Sequence, residues 1–293
     1  MISGMPRGNQ ERWLLLCLVL SGAMHSLQHC NAWTVNRFGS CRRVRPTVLS
    51  ASSSWLENIN GPPYLAVITE PNTCDSEERM NTTLEAIEAA VSTQQVALVS
   101  VRIGKPADIS QEDIDSRVKD LTRRILDLKD KNNFHVVVSS DWVGTVDASS
   151  KVGIHVKESH RGQIPDIRDR LGNDVLIGTS AHSIESALDA VSKYGPNYLF
   201  VGTCYETASH PEKKEADLEG PALPGQVSRA IQTEFGTSPV VLAIGGIDET
   251  NCWEPVLDFG ADGVAVIRAV LQASNPADAV LQIQANMHRG NRK

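Results

Sequence analysis

Aromatic residues make up only 5% of this 293-residue chain: five Trp, four Tyr and five Phe. The core must therefore come mostly from Val, Ile, Leu and Ala, as in α/β barrels. Hydrophobic residues reach 41%, enough for a sizeable core. Cysteine is also scarce. Three of the six (Cys17, Cys30, Cys41) fall in the first 52 residues, and Cys74, Cys204 and Cys252 lie far apart in the rest. No pair has C-x-x-C spacing, which argues against a disulfide framework and a cysteine zinc site. The apolar stretch Trp13–Leu20 is too short to span a bilayer, so no membrane partner is expected of the mature form. A Gly-rich dinucleotide turn is missing as well. Thr69-Glu-Pro-Asn72 follows the first expected strand, which speaks against an open doubly wound sheet.

Charge is unevenly placed. The net charge is −7, yet residues 1–52 hold six Arg, no Lys and one acid (Glu11). The remainder is strongly acidic, which argues against nucleic acid as a partner. An anionic small ligand stays open, because backbone dipoles can bind phosphate locally.

The first 52 residues read as targeting sequence. Arg7 and Arg12 precede the short apolar run, and Ser21, Gly22 and Ala23 follow it. That is a signal-peptide pattern, with cleavage expected near Ala23 or between Ala32 and Trp33. The stretch from Trp33 to about Ser54 is rich in Arg, Ser and Thr and has no acid, a transit-peptide composition. Together they resemble the bipartite presequence of algae with complex plastids. A plastid destination is expected ahead of secretion, since the body lacks a disulfide framework. The division is thus 1–52 as targeting segment and 53–293 as a single folded domain.

The body alternates apolar runs with helical patterns. Strands are predicted at Tyr64–Thr69, Val96–Ile103, Phe134–Ser139, Val152–Val156, Val175–Thr179, Tyr198–Gly202, Val240–Ile244 and Gly263–Ile267. Helices are predicted at Ser76–Thr93, Ser110–Asp130, Ile164–Leu171, Ser183–Tyr194, Leu223–Glu234 and Pro276–His288. Continuous rather than alternating apolar strands are buried on both faces. Eight of them separated by helices predict an α/β fold of the (β/α)₈ TIM-barrel type.

In such a barrel the functional residues follow the strands. His182, after the fifth strand in Gly178-Thr-Ser-Ala-His-Ser183, is the candidate for proton transfer. Its bland alternative is a loop histidine beside an N-capping Ser183. Arg102 and Lys105 follow the second strand and suit an anion, or else pair with acids on nearby loops. Ser139, Ser140 and Asp141 follow the third strand, and Lys157, Glu158 and His160 the fourth. Gly245 and Gly246 follow the seventh and Ile267 and Arg268 the eighth, the usual phosphate position.

Four segments carry a resemblance: Val175–His182 (VLIGTSAH), Tyr198–Thr207 (YLFVGTCYET), Val241–Ile247 (VLAIGGI) and Gly260–Val266 (GADGVAV). They resemble thiamine phosphate synthase and its relative, the thiazole tautomerase (TenI-like) group, across roughly residues 62–288. The resemblance implies a barrel that takes a small phosphorylated thiazole at its mouth. It implies Lys105, Ser180, Thr207, Gly245, Gly246, Ile267 and Arg268 as substrate or phosphate contacts, and His182 and Arg102 as catalytic residues. Barrels of this family often self-associate, so a homo-oligomer is one state it allows.

The synthase branch joins a pyrimidine diphosphate to the thiazole phosphate with Mg²⁺. Its Gln, Asn and metal-ligating Asp correspond here to Ser100, Ser139 or Ser140, and His160, leaving Asp141 as the one carboxylate. The tautomerase branch needs no metal and relies on the histidine at His182, and Glu206-Thr207 resembles that branch. No cofactor is therefore expected, or Mg²⁺ if the chain is a synthase. The serine that usually receives phosphate is Arg268, which either binds the anion by charge or fills the pocket.

Overall fold

The computed structural model describes residues 33–35, 41–43, 53–56, 59–106, 108–209, 211, 213–237 and 239–289. Most of the expected targeting segment lies outside them. Chain contacts separate residues 1–47 from 48–293. In the first unit Trp33–Val35 pairs antiparallel with Cys41–Arg43.

The second unit is the barrel. Its strands are β1 (Tyr64–Ile68), β2 (Leu98–Val101), β3 (His135–Ser139), β4 (Gly153–Val156), β5 (Ile177–Ala181), β6 (Tyr198–Val201), β7 (Val240–Ile244) and β8 (Gly263–Val266). All pair in parallel with their chain neighbours, and β8 closes on β1 with Gly263 opposite Tyr64 and Val266 opposite Val67. Closure leaves no free sheet edge in the barrel.

Helices α1 (Glu77–Ser92), α2 (Gln111–Asp127), α3 (Ile164–Leu171), α4 (Ile184–Tyr194) and α5 (Ala222–Phe235) connect strands, and α6 (Arg268–Leu271) and α7 (Pro276–Arg289) follow β8. Ser76, Ser110 and Ser183 cap α1, α2 and α4, each accepting the N–H three residues on. The chain departs from the alternating pattern twice. Short 3₁₀ turns replace a helix between β3 and β4, and a π-helical turn at Glu254–Asp258 stands between β7 and β8. Strand β5 also runs two residues beyond its expected end, so Ser180 and Ala181 are strand residues.

Side-chain alternation divides the core in two. Outward residues such as Leu65, Val67, Val99 and Val138 pack beneath the helices, with Ile87, Val118, Leu121 and Ile283. This shell is mostly aliphatic, as the composition implies, with Phe134 and Trp142 buried in it. The barrel interior differs: Tyr198 and Phe200 stand there with Ile68, Leu98, Val137 and Leu242, and Trp55 packs on the cluster.

Close strand contact depends on one glycine at the mouth. A Cβ on Gly202 would lie 2.0 Å from the Ile244 carbonyl oxygen. That oxygen accepts the Cys204 N–H at 2.9 Å, so it cannot retreat without breaking the link between β6 and β7. Gly202→Ala is expected to lower unfolding free energy by about 1–3 kcal/mol, the usual cost of overpacking. Urea denaturation checks this, and an unchanged midpoint would refute it.

Candidate active site

The C-terminal ends of the strands open into a cavity of about 980 Å³. His182, Arg102, Ser180, Thr207, Gly245, Gly246, Ile267 and Arg268 all line it, so the barrel gathers these residues from five strands. Lys105 is the exception. It lies on an adjoining cavity of about 440 Å³ with Gln111, Asp141 and Trp142. Arg102, Ser139 and Lys157 border both spaces.

The phosphate end is built from backbone. Gly245 (φ 103°) and Gly246 (φ 65°) take conformations that side-chained residues rarely adopt. A Cβ on Gly245 would meet Thr203 at 2.5 Å, and one on Gly246 would meet the Glu206 carbonyl at 2.4 Å. The Gly246 carbonyl is held by Asn251 Nδ2 at 2.9 Å. Neither glycine N–H has a protein acceptor among the described residues, so both remain for a ligand. Arg268 opens α6 across the gap and donates to Thr207 Oγ1 at 3.2 Å. The cavity keeps its volume with Arg268 in its wall, so this side chain does not fill the pocket. Lys213 of the following loop is held instead by Glu219 at 2.7 Å.

The proton-transfer end contains a partner that motif reading did not assign. His182 Nδ1 makes a short hydrogen bond to Glu158 Oε2. The other Glu158 oxygen accepts a short bond from Ser186 Oγ, one turn into α4. Burial alone would raise the Glu158 pKa, but bonds from Ser186 and His182 and the Arg161 charge hold it below the usual carboxylate value. An ionised carboxylate only accepts, so the imidazole proton sits on Nδ1 and the Nε2 lone pair is left as the base.

Arg161 is buried behind this pair and braces the wall. It donates to Thr179 Oγ1 at 3.2 Å, to the Ser186 carbonyl at 2.8 Å, and to the Ser180 carbonyl by a short bond. A guanidinium so held ties β5 to α4 and fixes the loop that carries His182. Ser183 caps α4, the role offered as the bland alternative, and that cap coexists with His182 in the cavity wall.

At the third wall Arg102 is largely buried, and burial lowers its pKa. No hydrogen bond or ion pair engages its guanidinium among the described residues. A desolvated cation without a protein counter-ion is a place for an anionic ligand. Ser139 Oγ beside it is buried and has no hydrogen-bond partner among the described residues.

The fold and this mouth define a (β/α)₈ barrel with a preformed ligand cavity at its C-terminal face. The chain belongs to the thiamine monophosphate synthase family, whose model matches residues 65–270. It is 31% identical over 206 residues to the thiamine-phosphate synthase of Caldanaerobacter subterraneus subsp. tengcongensis, covering 68% of this chain and 86% of that protein. The enzyme of the same name from Geobacillus kaustophilus is 39% identical over 127 residues, 43% of this chain and 52% of the relative. The chain thus spans about half the length of several curated relatives it matches. Among solved structures, thiamine phosphate pyrophosphorylase from Pyrococcus furiosus superposes with a TM-score of 0.57 at 23% identity. That match covers 77% of this chain and 95% of the other, a likeness of fold.

The residues near Asp141 do not fit Mg²⁺. Asp141 Oδ2 is taken by the Lys157 ammonium at 2.6 Å, and His160 Nδ1 stands 3.7 Å from Oδ1. Magnesium requires near-octahedral oxygen ligation, and here the single carboxylate has a cation and an imidazole around it. No cluster of three or more His, Cys, Asp or Glu suited to a metal occurs among the described residues.

Proposed function

We propose that this barrel binds a phosphorylated thiazole and moves a proton on its ring, as a TenI-like thiazole tautomerase. The observation that carries the reading is the Glu158–His182 pair, with Nδ1 bound to the carboxylate and Nε2 left as a base at the cavity. Aromatising a carboxythiazole phosphate removes a proton from one ring position and adds one at another, with no net change in composition. His182 Nε2 takes the proton while the electron pair of the broken bond enters the ring. The imidazolium, stabilised by Glu158, then returns the proton to the second position. The Gly245 and Gly246 amides with Arg268 would hold the phosphate. Arg102 would face the ring carboxylate.

A second reading is thiamine-phosphate synthase itself. Two observations favour it: the relatives above carry that name, and Arg102, Lys105 and Lys157 give the adjoining cavity an excess of positive charge. Two incubations separate the readings. The purified protein with the non-aromatic carboxythiazole phosphate, without added metal, is expected to produce the aromatic isomer by proton NMR. With hydroxymethylpyrimidine diphosphate, thiazole phosphate and Mg²⁺, diphosphate release above the enzyme-free control would reverse the order.

A further inference from the structure

Beneath the cavity lies a buried polar chain that the proton-transfer step leaves unused. His155, on β4, is 8% exposed, and its ring stacks on Phe200 at 4.6 Å and on Tyr198 at 5.7 Å between centroids. His155 Nδ1 is 3.0 Å from Tyr198 Oη, and Nε2 is 3.0 Å from Ser180 Oγ at the cavity wall. Trp55 covers Tyr198 from the opposite end at 5.9 Å. The phenol ring occupies space that only glycine leaves open, since a Cβ on Gly178 would lie 1.9 Å from Tyr198 Cζ. Tyr198 and His155 are thus fixed by packing.

Two proton arrangements satisfy both contacts. In one, Nδ1–H donates to Tyr198 and Nε2 accepts from Ser180. That arrangement strands the Tyr198 O–H, because Tyr198 Oη makes no other hydrogen bond among the described residues and the residue is fully buried. In the other, Tyr198 donates to Nδ1 and Nε2–H donates to Ser180 Oγ. No buried donor is then left over, and the Ser180 O–H turns towards the cavity. A buried unmade donor is costly enough to favour the second arrangement by about ten-fold or more. Burial and the Arg102 charge pull the His155 pKa down to about 3, so the ring is neutral at ordinary pH and one nitrogen always accepts.

We propose that Tyr198 and His155 lock the imidazole as the Nε2–H tautomer and so make Ser180 a hydrogen-bond donor to the bound ligand. Tyr198 and His155 are then positioning residues. The lock selects a ligand that presents an acceptor at Ser180, a ring nitrogen or carboxylate oxygen, over one that presents a donor. The ligand class rests on the thiazole phosphate reading above, whereas the tautomer does not.

Nitrogen-15 NMR of ligand-free, histidine-labelled protein decides the lock, since long-range proton–nitrogen correlations separate the two tautomers. His155 is expected as Nε2–H, and an Nδ1–H spectrum would overturn the proposal. Titration with thiazole phosphate supplies the second arm. Ser180→Ala is expected to raise Kd about ten-fold for the lost hydrogen bond. Tyr198→Phe, checked for folding by thermal melting, is expected to raise Kd by a smaller factor and to shift the Nδ1 resonance, because that nitrogen loses its hydrogen-bond donor. A Tyr198→Phe protein with unchanged spectrum and Kd would also sink the lock. The ligand-free spectrum reads the lock even where thiazole phosphate fails to bind, so the two failures are told apart.

Discussion

Replacing His182 with alanine is expected to cut turnover of the carboxythiazole phosphate by about 10²–10⁴-fold, the usual contribution of a positioned acid–base group. Substrate affinity should change little, because the phosphate is held at the opposite wall by Gly245, Gly246 and Arg268. Stability should also hold to within about 0.5 kcal/mol, since the His182 side chain is 49% exposed. Glu158→Gln should fall between wild type and His182→Ala. It keeps the shape of the side chain but removes the charge that fixes the Nδ1 proton and stabilises the imidazolium. Steady-state kinetics with thermal melts of both variants make the check. If His182→Ala turns over at the wild-type rate, the acid–base assignment fails, and a ligand-binding role for the barrel gains ground. If it loses activity only through a raised KM, His182 binds substrate rather than moving its proton.

The dependence of His182 on Glu158 explains what was legible in the chain and what was not. Strand positions follow from local sequence. Runs such as Val136–Val138 and Val240–Ile244 bury both faces, so a parallel sheet wrapped by helices was readable without any long-range information. Strand-end residues were readable for the same reason, since a barrel sends everything after a strand to one face. His182, Arg102, Gly245 and Gly246 therefore fell into one cavity as expected. Which residues touch across loops is a different question. Glu158 and His182 are 24 positions apart, and only the pairing of β4 with β5 brings them into contact. Lys105 failed to join the main cavity because the loop turns outward beyond Arg102, where Gly104 packs under the Pro71 carbonyl.

Residues within strands were hidden more deeply. His155 sits in Gly153-Ile-His-Val156, a stretch read only as a buried run. Its role depends on alternation turning it inward beside Tyr198 and Ser180, and a register change of one residue would have pointed it at the helices. Ser180 itself was assigned to a loop, but it is the fourth residue of β5, and that added rigidity is what lets a hydroxyl keep a fixed direction. Low aromatic content likewise described most of the outer shell and missed the interior, where Tyr198 and Phe200 stack on His155.

The same histidine predicts steep acid sensitivity. His155 and His135 both have folded-state pKa values below the unfolded value of 6.5, pushed down to about 3 and about 4. Burial is the main cause in each, joined by the Arg102 charge at His155 and the Lys129 charge at His135. As pH falls below about 6 the unfolded chain takes up protons that the folded chain refuses. Stability is therefore expected to fall with pH, from about 6 to about 4, by about 1.4 kcal/mol per pH unit for each fully linked histidine. Glu158, with its lowered pKa, adds its own loss only at the acid end of that window. Asp262, with its pKa raised by burial, acts in the opposite sense there. Neither contribution depends on residue 155. His155→Gln is expected to reduce the slope of unfolding free energy against pH by about 1.4 kcal/mol per unit, even though its absolute stability drops. Urea titrations at several pH values between 4.5 and 6 measure that slope, and equal slopes for variant and wild type would rule the linkage out. The cause is local and chemical. A proton arriving at Nδ1 turns an acceptor into a donor facing the Tyr198 hydroxyl, leaves that O–H without its partner, and adds a charge that the Arg102 charge repels.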